Sequence, residues 1–268
     1  MVDLACSEAP AEAELARFAA ECRFEKIPES VRHEAKRSLV NIFGTALAGC
    51  REPAIETMLA TMQPFAGAPS AGLIGRPERT DAALAACLNA AAANIFDFDD
   101  THEATIIHPA APVFAALFAA AESREKTGAE VLRGVVLGGE VTCRIGLALA
   151  PGHYARGWHI TSTAGVFGAA AGTGTLLGLP PDKMKHALAA AAGQSAGLVE
   201  TLGTDAKSLS VGASARGGLL AALLAEAGFT GPSAPLTGTR GFLNVYGDPP
   251  SPDALLADLG ECWEIAAN

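Results

Sequence analysis

The sequence predicts an all-α protein, a multi-helix bundle, and three observations carry that prediction. Half of the 268 residues are apolar but only 6% are aromatic, so the apolar content is Ala, Leu, Val and Gly rather than rings. An all-β protein would carry more aromatic and β-branched residues. Apolar residues recur at helical spacing along most of the chain, between recognisable helix starts and stops. Strand candidates are few and short, and no period of 20–50 residues repeats, so a solenoid is not indicated.

The elements follow in order. Pro28 to Gly49 opens on Pro-Glu-Ser and puts Val31, Ala35, Leu39, Ile42, Phe43 and Ala46 on one helical face. Gly67 to Arg76 is turn-rich, with a short apolar piece at Leu73-Ile74. Asp81 to about Asn94 is an Ala-rich helix with Asp81 at its N-cap. Pro112 to about Lys126 is another, ended near Gly128, and a long apolar segment from Ala129 to Ala150 is stopped by Pro151-Gly152. Pro180-Pro181-Asp182 starts a helix that runs to about Gly193, and a further Ala/Leu helix lies between about Val211 and Gly228. Thr230 to Asp253 is rich in Pro, Gly, Ser and Thr and reads as loop, with a turn at Gly238-Thr239-Arg240-Gly241 and a short helix from Pro252 to Leu259 after it. The expected organisation is one helical domain over residues 1–268, its core running from about 10 to 230 and a loop-rich segment following.

Composition narrows the function. The net charge is −10 and no Lys/Arg stripe exists, which excludes nucleic acid as an expected partner. The six cysteines, Cys6, Cys22, Cys50, Cys87, Cys143 and Cys262, form no CxxC pair. They read as free thiols, several of them small core residues, in a reducing cytoplasm. The N-terminal run MVDLACSEAPAEAELARF carries early acids and no basic n-region, so it is not a signal peptide. Ile160 to Pro181 lacks any charge and is long enough to cross a bilayer. Its Gly and Thr content and its closing Pro-Pro fit a buried helix in a soluble core instead, with close backbone approach. No membrane partner is expected.

Three polar islands interrupt the apolar texture. They are Asn94-Ile-Phe-Asp97-Phe-Asp99-Asp100-Thr101-His102 with His108-Pro109, then His153-Tyr154-Ala-Arg156-Gly157-Trp158-His159-Ile-Thr161, then Gly203-Thr204-Asp205-Ala-Lys207-Ser208-Leu-Ser210. Each falls at a helix end or in a loop, where a rigid scaffold presents reactive groups. Asp97-Phe-Asp99-Asp100-Thr101 matches the nucleophile motif of haloacid-dehalogenase-type phosphatases, but that motif needs a strand before it and an α/β sheet around it, whereas an Ala-rich helix precedes it here. Metal binding by Asp97, Asp99, Asp100 and His102 fits no standard zinc or calcium spacing. The glycines around Lys207 do not make a P-loop, and Gly172, Gly174 and Gly178 do not make GxGxxG, so no nucleotide cofactor is implied. Any one histidine alone would more often be a hydrogen-bonded core residue. Together, His108, His159, Arg156 and Lys207 would form a positive pocket inside an acidic protein. Such a pocket suits a small di- or tricarboxylate held by Lys and Arg and deprotonated by a histidine beside a carboxylate.

At these islands the sequence resembles the MmgE/PrpD family, whose members include 2-methylcitrate dehydratases, cis-aconitate decarboxylases and iminodisuccinate epimerases. The carrying segments are Asp97-Phe-Asp-Asp-Thr101-His102 with His108-Pro109, Arg156-Gly-Trp-His159-Ile-Thr161, and Gly203-Thr-Asp-Ala-Lys207-Ser-Leu, framed by Asn41-Ile-Phe-Gly44 and Ala227-Gly228-Phe229-Thr230-Gly231. The resemblance runs from about Phe18 to Trp263. It implies an all-helical N-terminal domain that holds much of an active site, acts on small polycarboxylates and uses neither metal nor cofactor. It also implies roles: His108 or His159 as general base or acid, Lys207 on a substrate carboxylate, Thr101 hydrogen-bonded to it, and Asp97 orienting the site. This sequence has Asn94 where the family often has His, Ala110 where it often has Ser, and Ser210 where it usually has His. Family members continue past the position of Trp263 into a smaller α+β domain that closes the site. The chain is therefore expected to be a fragment, one subunit of a split enzyme, or a helical-domain-only member.

The expected function is proton abstraction alpha to a carboxylate, followed by dehydration, decarboxylation or epimerisation. The alternative is a non-catalytic helical module for dimerisation or polycarboxylate binding. A homodimer through long apolar faces is expected, with a separate C-terminal domain or subunit as a second partner.

Overall fold

The computed structural model describes residues 11–267; Cys6 and the first ten residues of the N-terminal run lie outside them. Among the described residues the chain forms eleven α-helices: α1 (Ala11–Glu21), α2 (Glu29–Gly49), α3 (Pro53–Met62), α4 (Ala82–Asn94), α5 (Ala110–Arg124), α6 (Gly128–Leu149), α7 (Gly152–Ala155), α8 (Ile160–Leu177), α9 (Pro181–Ala192), α10 (Asp205–Glu226) and α11 (Phe242–Tyr246). The only sheet among them pairs β1 (Ala71–Gly72) antiparallel with β2 (Arg79–Thr80), Ala71 opposite Thr80. The all-α expectation holds.

Local chemistry sets several boundaries. Asp81 caps α4, its Oδ1 accepting from Ala83 N at 2.9 Å and Leu84 N at 3.0 Å, a contact worth about 1 kcal/mol. Thr127 and Glu130 close a reciprocal capping box on α6. Pro181 opens α9, where its missing N–H has no partner to lose. Helix α5 begins at Ala110, two residues before Pro112. Helix α10 begins at Asp205, six residues before the start expected from apolar spacing, because Asp205-Ala-Lys-Ser is helical despite its polarity.

The bundle is organised around α8. Every residue from Ile160 to Leu176 is buried, enclosed by α5, α6, α9 and α10. The buried-helix reading of the uncharged stretch is what the structure shows. Glycine makes one of the close crossings. A Cβ on Gly138 of α6 would lie 2.7 Å from Gly168 O of α8, and a Cβ on Gly168 would lie 2.6 Å from Gly138 O. No side chain fits there, so the two helix backbones touch directly. Helix α10 is the one described helix long and apolar enough to cross a bilayer, and it packs on α4, α5, α8 and α9.

Two features differ from expectation. Phe43 is partly exposed at 37%, although its ring packs edge-on against Phe114 at 4.9 Å. The segment after residue 230 is not a loop outside the core. Leu236, Phe242, Leu243, Leu255, Trp263 and Ile265 are all buried. Buried Glu12 accepts from the backbone N–H groups of Leu236 at 3.3 Å and Thr237 at 3.4 Å. Buried Arg144 pairs with Glu140 at 2.6 Å and donates to Ala257 O at 2.7 Å and Cys262 O at 2.9 Å. Glu12 thus satisfies N–H groups, and Arg144 carbonyls, that an irregular buried segment would leave unpaired.

Candidate active site

Three helix N-termini meet at one point. His108 N, at the entry to α5, donates to Thr161 Oγ1 on the first turn of α8 at 3.1 Å. Ser162 of α8 meets Ser210 of α10 at 2.7 Å between their hydroxyls. The C-terminus of α4 arrives at the same place, since Asn94 Nδ2 donates to both carboxylate oxygens of Asp99, at 3.1 and 2.9 Å. The positive ends of three helix dipoles make this a favourable place for negative charge.

The segment between α4 and α5 folds over this point. Asp97 adopts a left-handed conformation, φ 55°, which aspartate tolerates better than most residues. Its Oδ1 pairs with Lys207 Nζ and lies 3.1 Å from His108 Nε2. Lys207 stands on the first turn of α10 and is 6% exposed, whereas the Asp97 side chain is 61% exposed. The pair therefore has one open flank. Partial burial pushes the Asp97 carboxyl up, but the hydrogen bond and charge of Lys207, helped by His108 and His159, outweigh it and hold the carboxyl below its usual range.

His108 is gripped from its other side. Its Nδ1 lies 3.1 Å from Asp100 O, 3.2 Å from Thr101 Oγ1 and 3.4 Å from Asp99 O. The carbonyls only accept, so Nδ1 carries a hydrogen and Nε2 faces Asp97. Behind the ring, burial pushes the fully enclosed Asp99 carboxyl up, against the opposing pull of His108 and Asn94. Burial and the Asp99 charge push Asp100 up to about 7, while Oδ1 of that residue accepts from Ala110 N at 3.2 Å.

His159 immediately precedes α8, is 4% exposed, and places Nδ1 2.8 Å from Ser162 Oγ. Burial, then the positive charges of Lys207 and His108, lower its imidazole to about 4, with Asp97 pulling the other way. It is a neutral ring at neutral pH, and a neutral imidazole can take up a proton.

Asp97, Thr101, His108, His159 and Lys207 thus come together from three segments. Arg156 does not. It is exposed at the end of α7, and its charge acts on His153. It is not among the charges that act on Asp97 or His159, so the expected arginine contribution to the pocket is corrected. His102 is also elsewhere, buried with Nδ1 2.7 Å from Thr105 Oγ1 and Nε2 3.4 Å from Glu264. His153 is a packing residue, donating Nδ1–H to Tyr246 O at 2.9 Å and lying against the Trp158 ring.

Asp97, Asp99 and His108 bring ligand atoms within 4.8 Å of one another, close enough for a cation. Lys207 already sits on the Asp97 oxygen that such an ion would need, and its ammonium repels a second cation. The arrangement suits an anion that competes with Asp97 for Lys207. Five cysteines are free among the described residues; Cys50, Cys87 and Cys143 are buried, and burial pushes Cys87 up to about 11.

The family model described as the MmgE/PrpD N-terminal domain matches residues 13–255. The chain belongs to the MmgE/PrpD family. Among its relatives, the cis-aconitate decarboxylase of Aspergillus terreus (strain NIH 2624 / FGSC A1156) is 31% identical over 265 residues, 94% of this chain and 54% of that protein. The cis-aconitate decarboxylase-like protein oryM of Aspergillus oryzae (strain ATCC 42149 / RIB 40) is 31% identical over 94% of this chain and 56% of its own length. Human cis-aconitate decarboxylase is 28% identical over 88% of this chain and 50% of its own length. The chain spans about half the length of the curated relatives it matches.

Sequence reasoning did not single out Ser162, which the spacing His159-x-x-Ser162 at a helix start could have flagged. Nor did it find a use for Asn94 and Ser210. The first clamps Asp99, and the second joins the hydroxyl pair behind His159.

Proposed function

We propose that this chain binds a small polycarboxylate and takes part in its cofactor-independent lyase chemistry, with decarboxylation of a cis-aconitate-like acid as the favoured reaction. The carrying observation is the Lys207–Asp97–His108 junction at three converging helix N-termini, with a neutral His159 within electrostatic reach. The names of the relatives favour decarboxylation over dehydration or epimerisation.

In this reading a substrate carboxylate displaces Asp97 from Lys207, exchanging one charge-assisted bond for another. Thr101 hydrogen-bonds the substrate, and Asp97 stays close enough to orient His108. His159 takes the proton alpha to a carboxylate, or CO2 departs and leaves its electron pair on carbon. The developing negative charge then meets Lys207 and the helix N-termini, donors fixed before the reaction begins. A hydrogen carried on His108 Nε2, held against Asp97 Oδ1, passes to the carbon that keeps the electron pair, while the Nδ1 hydrogen stays on the Asp100 carbonyl. The open flank at Asp97 calls for a covering domain or subunit to exclude water, as a pocket missing one wall weakens its own electrostatics.

A homodimer is proposed from exposed apolar side chains, Val40 at 74%, Leu47 at 53% and Phe98 at 79%. A cytoplasmic setting is proposed from the unpaired cysteines. Ser210, in place of the usual histidine, favours a second reading as a polycarboxylate-binding module without turnover. The test is CO2 release from cis-aconitate and turnover of 2-methylcitrate, alone and with a candidate covering domain. Turnover in either format is expected, with CO2 release lost in His108→Ala and proton removal alpha to the carboxylate lost in His159→Ala. Tight binding with no turnover in any format would leave the binding module.

A further inference from the structure

The hydroxyl chain behind His159 has a direction, fixed at its far end. Ser210 Oγ lies 2.7 Å from Lys207 O. A carbonyl only accepts, so the single hydroxyl hydrogen of Ser210 points there. Ser162 Oγ lies 2.7 Å from Ser210 Oγ. With the Ser210 hydrogen engaged, Ser162 must donate across that contact. Ser162 Oγ also lies 2.8 Å from His159 Nδ1. With its own hydrogen engaged in turn, Ser162 can only accept there, so Nδ1 must carry a hydrogen. In a neutral imidazole the other nitrogen, Nε2, is then the bare lone pair.

We infer that Ser162 and Ser210 are positioning residues that fix His159 as its Nδ1–H tautomer and keep Nε2 as the proton acceptor. Histidine free in water prefers its hydrogen on Nε2, so the two hydroxyls reverse the intrinsic preference. The opposite tautomer would need Ser162 to donate to Nδ1 and Ser210 to donate to Ser162. Two oxygens, Ser210 Oγ and Lys207 O, would then face each other at 2.7 Å with no hydrogen between them. The ring is 4% exposed and Ser162 is fully buried, so water does not readily supply a replacement donor. Ser210 thereby acquires a role that a histidine could not fill in the same way, since its hydroxyl gives one hydrogen and accepts another at a single atom. The charged groups within electrostatic reach of His159 are Lys207, His108 and Asp97; none of them touches its Nδ1 in the way that Ser162 does.

This deepens the proposed lyase reading, because it names the nitrogen that would take the proton, but its test needs no turnover. Protein labelled with 15N-histidine is observed at pH 7 by two-bond 1H–15N correlation, and His159 is assigned by the cross-peaks missing in His159→Gln. Wild type is expected to show a pyrrole-type Nδ1 and a pyridine-type Nε2. Ser210→Ala frees the Ser162 hydrogen and should shift the population toward Nε2–H. Ser210→Thr keeps the hydroxyl and should restore the wild-type pattern, an outcome that simple packing would not produce. An Nε2–H signature in wild type overturns the inference, as does a Ser210→Ala spectrum identical to wild type. If Ser210→Ala does not fold, the wild-type spectrum alone still decides. If the tautomer is as expected and no acid is turned over, the lyase reading fails while this one stands.

Discussion

Replacing Lys207 with methionine keeps the buried stem and removes the charge, and the structure gives three separate expectations for it. The first is affinity. A charge-assisted hydrogen bond from Lys207 to a ligand carboxylate contributes about 1.5–3 kcal/mol, so a tricarboxylate should bind about 10- to 150-fold more weakly. The second is stability. Asp97, the present partner, has a side chain 61% exposed, and an ion pair with one solvated member contributes no more than about 1 kcal/mol. The melting temperature should therefore move little, because methionine refills the space of the stem. The third is His159. Lys207 is the largest charge acting on that ring after burial itself, so its removal should raise the midpoint for proton uptake above its present value near 4. Calorimetric titration of cis-aconitate into wild type and variant reads the first, thermal unfolding by circular dichroism the second, and a histidine NMR titration the third. Unchanged tricarboxylate affinity in a variant with native spectrum and melting point would refute the anion pocket. A large loss of stability would show instead that Lys207 holds the fold, and that the junction with Asp97 is structural.

Gly168→Ala should destabilise the bundle. The new Cβ would lie 1.7 Å from Thr142 Oγ1 and 2.6 Å from Gly138 O, and overpacking of about 1–3 kcal/mol outweighs the 0.5–1 kcal/mol of helix propensity that alanine brings; an unchanged or raised melting point would contradict the direct backbone contact. Asp100→Asn should become more stable relative to wild type as pH rises from about 4 to 8. Folded Asp100 holds its proton up to about 7 against an ordinary 3.8, so its contribution is complete below the ordinary value and is lost as pH rises through the folded one; denaturant unfolding should read a difference on the order of 2–4 kcal/mol, and parallel pH curves would refute it. His159 works in the other direction. Its folded value near 4 lies below the ordinary 6.5, so the stability it leaves intact above about pH 6.5 drains away as pH falls toward 4, and His159→Gln should flatten that acid limb. Light scattering at micromolar concentration should show a dimer; a strictly monomeric species would remove the proposed role of the exposed face carrying Val40, Leu47 and Phe98.

The helices that the sequence announced are those with chemistry at their ends: Asp81 before α4, Pro181 opening α9, Pro151 after α6. What went unread is structure made by distant partners. Phe242–Tyr246 forms a five-residue helix inside a Pro/Gly-rich run because Phe242 packs 4.7 Å from the Phe167 ring and Tyr246 4.5 Å from the Trp158 ring. No local pattern in residues 230–253 encodes those rings. The same holds for buried Arg144, whose carbonyl partners on Ala257 and Cys262 lie more than a hundred residues away.

The site divides along the same line. Polar and ionisable residue types in short islands were visible, and Asp97, Thr101, His108, His159 and Lys207 come together because α5, α8 and α10 start at the same place. Arg156 stands exposed at the end of α7, where its charge acts on His153 rather than on the cluster. Ser210 is the sharper case. Compared with its family it reads as the loss of a titratable group, and a loss suggests a weakened site. With distances in hand its hydroxyl is 2.7 Å from a carbonyl on one side and 2.7 Å from Ser162 on the other, which turns an absent acid or base into the end of a directed chain. The property that matters there, which way one hydrogen points, belongs to no residue taken singly. It follows from three oxygens and a ring nitrogen held on two helices, so it had to wait for the fold.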